Sequence, residues 1–325
     1  MTTIKKSDAH KTLCVIVPVY NESAMLPLLV PRLLNALAYV PAQSQIVFVD
    51  DGSSDGTATL LIDLAVQHAQ IGYIRLARNF GKEAAMTAGL DYADADAVVV
   101  IDADLQDPPE LIKAFWQKFE EGFDVIYGQR ATRAGESWLK RTTASAFYRV
   151  MNRMSKTSVP RDTGDFRLMS RRAVAALKQL RERHRFMKGL FAWVGFKQVG
   201  LVYHREPRAA GTTKFNYWKL WNFALEGITS FSTVPLRMAT YVGLLTALIA
   251  FGYGGFIVFK TMMYGDAVRG YPSLMTVMLF LGGIQLMALG MIGEYLGRMF
   301  EESKQRPLYL LDVAQAPRRA PTVES

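Results

Sequence analysis

The chain holds a single cysteine, Cys14, in 325 residues, so no disulfide can form within it and a cystine-stapled scaffold is excluded. That usage fits a reducing compartment. Its histidines, at positions 10, 68, 184 and 204, do not cluster at metal-ligand spacing. No G-x-x-x-x-G-K-[ST] loop is present, since Gly81-Lys82 lacks the first glycine and is followed by Glu83. No G-x-G-x-x-G follows the first apolar run either, which removes the dinucleotide fingerprint. The opening MTTIKKSDAHKT has no apolar h-region, so no secretory leader is expected and a large first domain stays in the cytoplasm. No internal repeat and no low-complexity stretch is found. A formal charge of +9 is modest for a nucleic-acid binder, and no nucleic-acid partner is expected. It suits a protein lying on anionic lipid.

Charge is missing altogether from two long runs, residues 238–259 and 271–293. About 20 apolar residues at about 1.5 Å per residue cross a hydrocarbon core of roughly 30 Å. Core helices of soluble proteins rarely stay uncharged for that length. The short link, Lys260 to Gly270, predicts an antiparallel hairpin. Outside the hairpin stand Lys219, Arg237, Arg298, Lys304 and Arg306, against Lys260, Arg269 and Asp266 in the link. The positive-inside rule therefore puts both termini in the cytoplasm. The expected location is the bacterial inner (cytoplasmic) membrane, multi-pass. Gly293 and Gly297 allow close helix contact, which leaves room for a homo-oligomer.

The first 130 residues alternate two patterns. LCVIVPV (13–19), QIVFVD (45–50), IGYIRLA (71–77), AVVVID (97–102) and FDVIYG (123–128) read as buried strands. Residues near 22–39, 56–69, 82–93 and 108–121 read as helices. Such alternation predicts an α/β domain with a mostly parallel sheet covered on both faces. Ligands of these sheets bind beyond the carboxyl ends of the strands. From 136 the pattern changes. Residues 138–156 mix Trp138, Phe147, Met151 and Met154 with Arg141, Arg149 and Arg153. They read equally as a helix in the membrane interface or one packed on the sheet. Residues 217–231 place Trp218, Trp221, Leu225 and Ile228 at helical spacing and run into the first span, which favours the interface. The expected organisation is 1–135, nucleotide-binding α/β domain; 136–233, acceptor-side and interfacial region; 234–300, two membrane helices; 301–325, cytoplasmic tail. The last dozen residues, rich in Pro, Arg and Ala, read as disordered.

The polar residues gather at the strand ends. Asp102-Ala103-Asp104 sets two carboxylates on one side of an extended segment, because side chains alternate with period two. A hard divalent ion would relieve their repulsion and leave room for phosphate oxygens. An Asp-rich turn is the plainer reading of a lone D-x-D, but this pair ends a buried apolar strand. Asp107 before Pro108 reads as the cap of the next helix, and Asp55 as another cap. Asp50 ends its strand where it could accept a hydrogen bond from a base or ribose.

These residues resemble family-2 glycosyltransferases, most closely the polyprenyl-phosphate branch that includes dolichyl-phosphate mannose synthases and bactoprenol glucosyltransferases. The likeness covers almost the whole chain. Val17-Pro18-Val19-Tyr20-Asn21-Glu22 looks like the family's first nucleotide loop and Asp50-Asp51-Gly52-Ser53-Ser54-Asp55-Gly56-Thr57 like its second. Arg78-Asn79-Phe80-Gly81-Lys82 resembles the segment that approaches the sugar nucleotide. Asp102-Ala103-Asp104-Leu105-Gln106-Asp107-Pro108-Pro109 matches the metal signature. Gly164-Asp165-Phe166-Arg167-Leu168 matches an acceptor-side segment. Residues 205–215, REPRAAGTTKF, resemble the R-x-x-R-x-x-G-x-S-K-[FY] loop near the membrane, with Thr213 where Ser is usual.

The resemblance implies a Rossmann-like, GT-A-type domain and an inverting transfer that gives a β-linked lipid phosphate sugar for cell-envelope glycans such as lipopolysaccharide. It implies donor contacts from Pro18, Tyr20, Glu22, Asp50, Lys82 and Asp102, and Mg²⁺ or Mn²⁺ on Asp102, Asp104 and Gln106. It implies catalytic roles for Asp104 and Asp165, and an acceptor phosphate held by Arg205, Arg208 and Lys214. Glucose from UDP-glucose onto undecaprenyl phosphate is the leading expectation. GDP-mannose, UDP-galactose, UDP-N-acetylhexosamine and aminoarabinose donors stay open. A membrane polysaccharide synthase would carry Q-x-x-R-W, and no Trp here follows an Arg. A scaffold without catalysis would not need Asp102, Asp104 and Lys82 intact. Asp165 is open between general base and positioning residue, because a phosphate monoester with a second pKa near 6 is already ionised.

Overall fold

The computed structural model describes residues 11–131, 163–183, 185, 187–204, 234–264 and 270–317. The stretches expected at 138–156 and 217–231, the acceptor residues Arg205, Arg208 and Lys214, and residues 265–269 of the link lie outside them.

The alternation resolves into β1 (Thr12–Val19), α1 (Leu26–Ala38), β2 (Gln43–Asp50), α2 (Thr57–Gln67), β3 (Ile71–Leu76), α3 (Lys82–Tyr92), β4 (Ala97–Val100) and α4 (Leu111–Glu120). β5 (Val125–Arg130) and β6 (Thr163–Ser170) follow, then α5 (Arg171–Gln179), α6 (Met187–Trp193) and β7 (Gln198–Tyr203). The strands all join one sheet ordered β7-β5-β6-β4-β1-β2-β3-β8, where β8 is Leu311–Gln315. β1 pairs parallel with β2 and β4, and β2 with β3. The expected mostly parallel α/β sheet is borne out. Its strands are continuous apolar runs because both faces are covered. Leu13, Val15 and Val17 face one buried layer with residues of α1, α2 and α4, while Cys14 and Ile16 face the other with residues of α3, α5 and α6.

Two features place the site. β1 lies between β2 and β4, so the chain reverses its direction of strand addition there, and sheets of this kind bind ligands in a crevice beyond those carboxyl ends. β6 then inserts antiparallel beside β4, with Val100 opposite Arg167. Two residues further on, that register sets Asp102 level with Asp165. α3 lies close on the sheet because Gly89 has no side chain: a Cβ there would come within 2.4 Å of Ile16 Cγ2. The N-terminus of α3 is thereby held over the crevice.

The carboxyl-terminal part forms two long helices, α7 (Val234–Tyr264) and α8 (Tyr271–Ser303), which contain both uncharged runs. Among the described residues, Phe280–Ser303 is long and apolar enough to cross a membrane, and Tyr241–Phe256 is a shorter apolar stretch. Their large apolar side chains point outward, Phe251 at 81% exposure and Leu286 at 72%. An apolar surface of that extent needs lipid or protein to cover it.

Ahead of residues 318–325, which lie outside those described, the tail carries a strand that the sequence analysis did not assign, and Ala314 and Gln315 of it fall in the stretch expected to be disordered. β8 pairs antiparallel with β3, and Ala77 donates to Leu310 O at 2.9 Å. The open edge of β3 offers unpaired amides and carbonyls, and the returning chain satisfies them.

Candidate active site

The first loop leaves β1 through half-buried Pro18 and exposed Tyr20, and Asn21 turns it in the left-handed region at φ 54°. Asn21 N donates to Ser53 Oγ at 2.9 Å, and Ser54 N donates to Asn21 Oδ1 at 2.8 Å. Glu22 N donates to Thr57 Oγ1 at 3.0 Å, and Ser23 N to Asp55 Oδ2 at 3.1 Å. The first and second loops are therefore one hydrogen-bonded unit, with Pro18, Tyr20 and Glu22 at its rim. Asp55 also accepts the Thr57 amide at 3.1 Å, close to the expected capping role. Its burial would raise its pKa, but the Thr57 and Ser23 bonds prevail and lower it to about 2.

Asp50 is wholly buried at the end of β2. Its Oδ1 accepts from Ser53 N at 2.9 Å. Oδ2 makes no hydrogen bond among the described residues, and Arg75 Nε stands 3.6 Å away. A buried acceptor in that state marks a place for a ligand donor or water.

Asp51 is a site residue that sequence reasoning left unassigned. Its carboxylate accepts from Phe80 N at 2.7 Å and Gly81 N at 2.9 Å. Those amides belong to the segment that launches Lys82. Gly52 makes the approach possible, since at φ 68° a Cβ would meet Arg78 C at 2.5 Å. Only the adjacency of Asp51 to Asp50 hinted at it; the partner loop is remote in sequence.

At the centre, Lys82 Nζ lies 2.6 Å from Asp102 Oδ1 and 2.6 Å from Asp165 Oδ2. Partial desolvation works against the ammonium, and the two carboxylates overcome it and raise its pKa. Burial would raise Asp165, but Lys82 and then Lys188 hold it well below the usual carboxylate range. Past β4, Ile101, Ala103 and Leu105 are buried while Asp102, Asp104 and Gln106 are half-buried. Burial alternates as expected of D-x-D, but the backbone is not extended there: β4 ends at Val100, the chain turns at Ala103 and Asp104, and Leu105 lies in the left-handed region at φ 55°. Gln106 N donates to Asp104 Oδ1 at 3.2 Å, which steadies the turn.

No group of three or more His, Cys, Asp or Glu residues with metal-holding geometry occurs among the described residues. Two carboxylates and an amide oxygen still suit Mg²⁺ or Mn²⁺, which is commonly held by one or two carboxylates while phosphates and water complete its shell.

Asp107 does not cap α4. It is buried and accepts from the Tyr203 hydroxyl, while α4 begins after Glu110. The β7 tyrosine reaches it because β7 pairs with β5, a contact no local pattern signals. Arg130, at the end of β5, has its charged form favoured despite burial by Tyr203 and Asp107. Sequence reasoning also passed over Arg167, whose buried guanidinium donates to Gly164 O at 2.8 Å and stacks 3.6 Å from the centre of the Phe191 ring. The structure thus brings Lys82, Asp102 and Asp165 into contact at one crevice, with Asp104 and Gln106 beside Asp102 in the chain. It sets Asp50, Pro18, Tyr20 and Glu22 in the neighbouring loops.

The model of glycosyl transferase family 2 matches residues 14–177, and that of the GtrB C-terminal hairpin matches residues 234–299. An uncharacterized glycosyltransferase of Synechocystis sp. is 53% identical over 299 residues, spanning 92% of this chain and 94% of that protein. The bactoprenol glucosyl transferase of Shigella phage SfV is 47% identical over 297 residues, spanning 91% of this chain and 97% of its own. A prophage bactoprenol glucosyl transferase homolog of Escherichia coli is 46% identical over the same shares.

Proposed function

Because the chain belongs to glycosyl transferase family 2 and is a glycosyltransferase, we propose that it transfers glucose from UDP-glucose to undecaprenyl phosphate at the cytoplasmic face of a bacterial inner membrane. The observation that carries the chemistry is the Lys82 ammonium between Asp102 and Asp165 at the switch point of the sheet. The relatives named for bactoprenol glucosyl transfer, similar over 91% of this chain, supply the acceptor and the sugar.

In this reading Pro18, Tyr20 and Glu22 line the nucleoside pocket, and the free face of Asp50 accepts from base or ribose. Asp102, Asp104 and Gln106 would hold Mg²⁺ or Mn²⁺, which when bound neutralises charge on the diphosphate. Lys82 contributes a charge-assisted contact to the departing phosphate as its charge grows. An acceptor phosphate oxygen forms a bond to the anomeric carbon as the bond to the diphosphate oxygen breaks, and that electron pair leaves with the nucleoside diphosphate. The acceptor is already ionised near neutral pH, so Asp165 has no proton to take. It aims Lys82 and holds the ammonium in place. Arg205, Arg208 and Lys214, just ahead of the aromatic stretch and the first span, would bring the acceptor phosphate alongside, where proximity supplies much of the barrier reduction. The hairpin crosses the membrane twice, at about 238–259 and 271–293, with both termini in the cytoplasm.

The test is incubation of the purified protein with undecaprenyl phosphate and a panel of radiolabelled nucleotide sugars, counting label in the organic phase. Label from UDP-glucose is expected. Label from another donor alone would replace the sugar, and no lipid-linked label from any donor would overturn the reading.

A further inference from the structure

Lys82 is followed by Glu83, a residue with no part in the transfer described above. Glu83 lies in the first turn of α3, and its Oε2 accepts from Met187 N, at the start of α6, at 3.3 Å. One helical turn along α6, at i+4 from Met187, stands Phe191. The guanidinium of Arg167 lies over the Phe191 ring at 3.6 Å and donates to Gly164 O at 2.8 Å. Gly164 precedes Asp165, and Asp165 accepts from Lys82 at 2.6 Å. The contacts form a closed ring through α3, α6 and β6 that begins at Glu83 and returns to its own neighbour.

We propose that Glu83 is a positioning residue for sugar transfer: it fastens α6 to α3, and through the Phe191–Arg167 stack fixes Asp165 where it aims Lys82. This rests on the glycosyl-transfer reading of the same site. Burial works against a charged Glu83. Desolvation and then the neighbouring Asp165 push its pKa up to about 8. The charged groups facing it are Lys82 on α3, Asp165 and Arg167 on β6, Arg185 ahead of α6 and Lys188 on α6. Glutamine keeps both its shape and its carbonyl acceptor.

The experiment compares Glu83→Gln and Glu83→Ala in the full chain, by steady-state kinetics and by amide hydrogen exchange. Glu83→Ala is expected to lower kcat about tenfold with donor KM changed less than about twofold, because small misplacement of a contact costs rate rather than binding. Glu83→Gln recovers kcat to within about threefold of the parent. Exchange at residues 187–193 rises in Glu83→Ala and stays low in Glu83→Gln, while strand 97–100 remains protected in both. Unchanged exchange at 187–193 in Glu83→Ala, or an equal loss of kcat in both variants, overturns the proposal. If the parent protein transfers no sugar, the transfer reading fails, and the exchange arm still decides whether Glu83 anchors the ring.

Discussion

The Lys82 ammonium donates to the Asp165 carboxylate at 2.6 Å across 83 positions of sequence. This pair joins the amino end of α3 to the amino end of β6, and it determines which way the positive charge points in the crevice. Replacing Lys82 by methionine keeps most of the stem volume and removes the charge. Activity is expected to fall roughly 10²–10³-fold, the usual loss for a donor aimed at developing negative charge. Lys82→Arg keeps the charge but spreads it over a planar fork that does not fit the same point between two carboxylates. It should stay closer to Lys82→Met than to the parent. Parent-like turnover in Lys82→Met would remove Lys82 from the chemistry.

Asp51 holds the loop that carries Lys82. Asp51→Ala leaves the Phe80 and Gly81 amides without their acceptor and is expected to destabilise the fold by about 1–3 kcal/mol. Turnover should fall as well, with the amides at 80 and 81 exchanging faster than in the parent. A thermal midpoint and an exchange pattern equal to the parent's would show that another group takes over.

Removal of divalent metal tests the Asp102, Asp104 and Gln106 assignment. EDTA should abolish transfer, and added Mg²⁺ or Mn²⁺ should restore it. Asp104→Asn should keep the thermal midpoint within about 1 kcal/mol equivalent, as a half-buried isosteric change allows, while losing most activity. Full activity of that variant in chelator would end the metal assignment.

The hairpin has a topological consequence. In a Cys14→Ser background, cysteine at position 266 should react with a membrane-impermeant thiol reagent on intact spheroplasts. Cys14 itself is buried in β1, which keeps its thiol from the reagent in the folded protein. Labelling only after lysis would place the link in the cytoplasm and reverse the proposed orientation.

Much of the architecture is legible in the sequence. Period and composition are local properties. The apolar runs at 13–19 and 71–77 therefore became β1 and β3 with little change, and the uncharged runs at 238–259 and 271–293 fell inside α7 and α8. The acidic end of β4 was readable for the same reason, but its form was not: beyond Val100 the chain turns through Ala103 and Asp104, with Leu105 at φ 55°, where the sequence analysis expected an extended segment.

Tertiary structure alone decided the partnerships. The antiparallel insertion of β6 beside β4 levels Asp165 with Asp102, and no local pattern encodes which strand neighbours which. Asp51 and Glu83 read as ordinary turn and helix residues until the chain brought remote amides to their carboxylates. The segment Leu311–Gln315 became β8 because β3 would otherwise leave its outer backbone groups unpaired. Sequence determined the elements and the chemical kinds of their exposed ends, because side-chain type and spacing act over a few residues. Long-range pairing determined which charges meet, because that follows from the packing of the whole sheet.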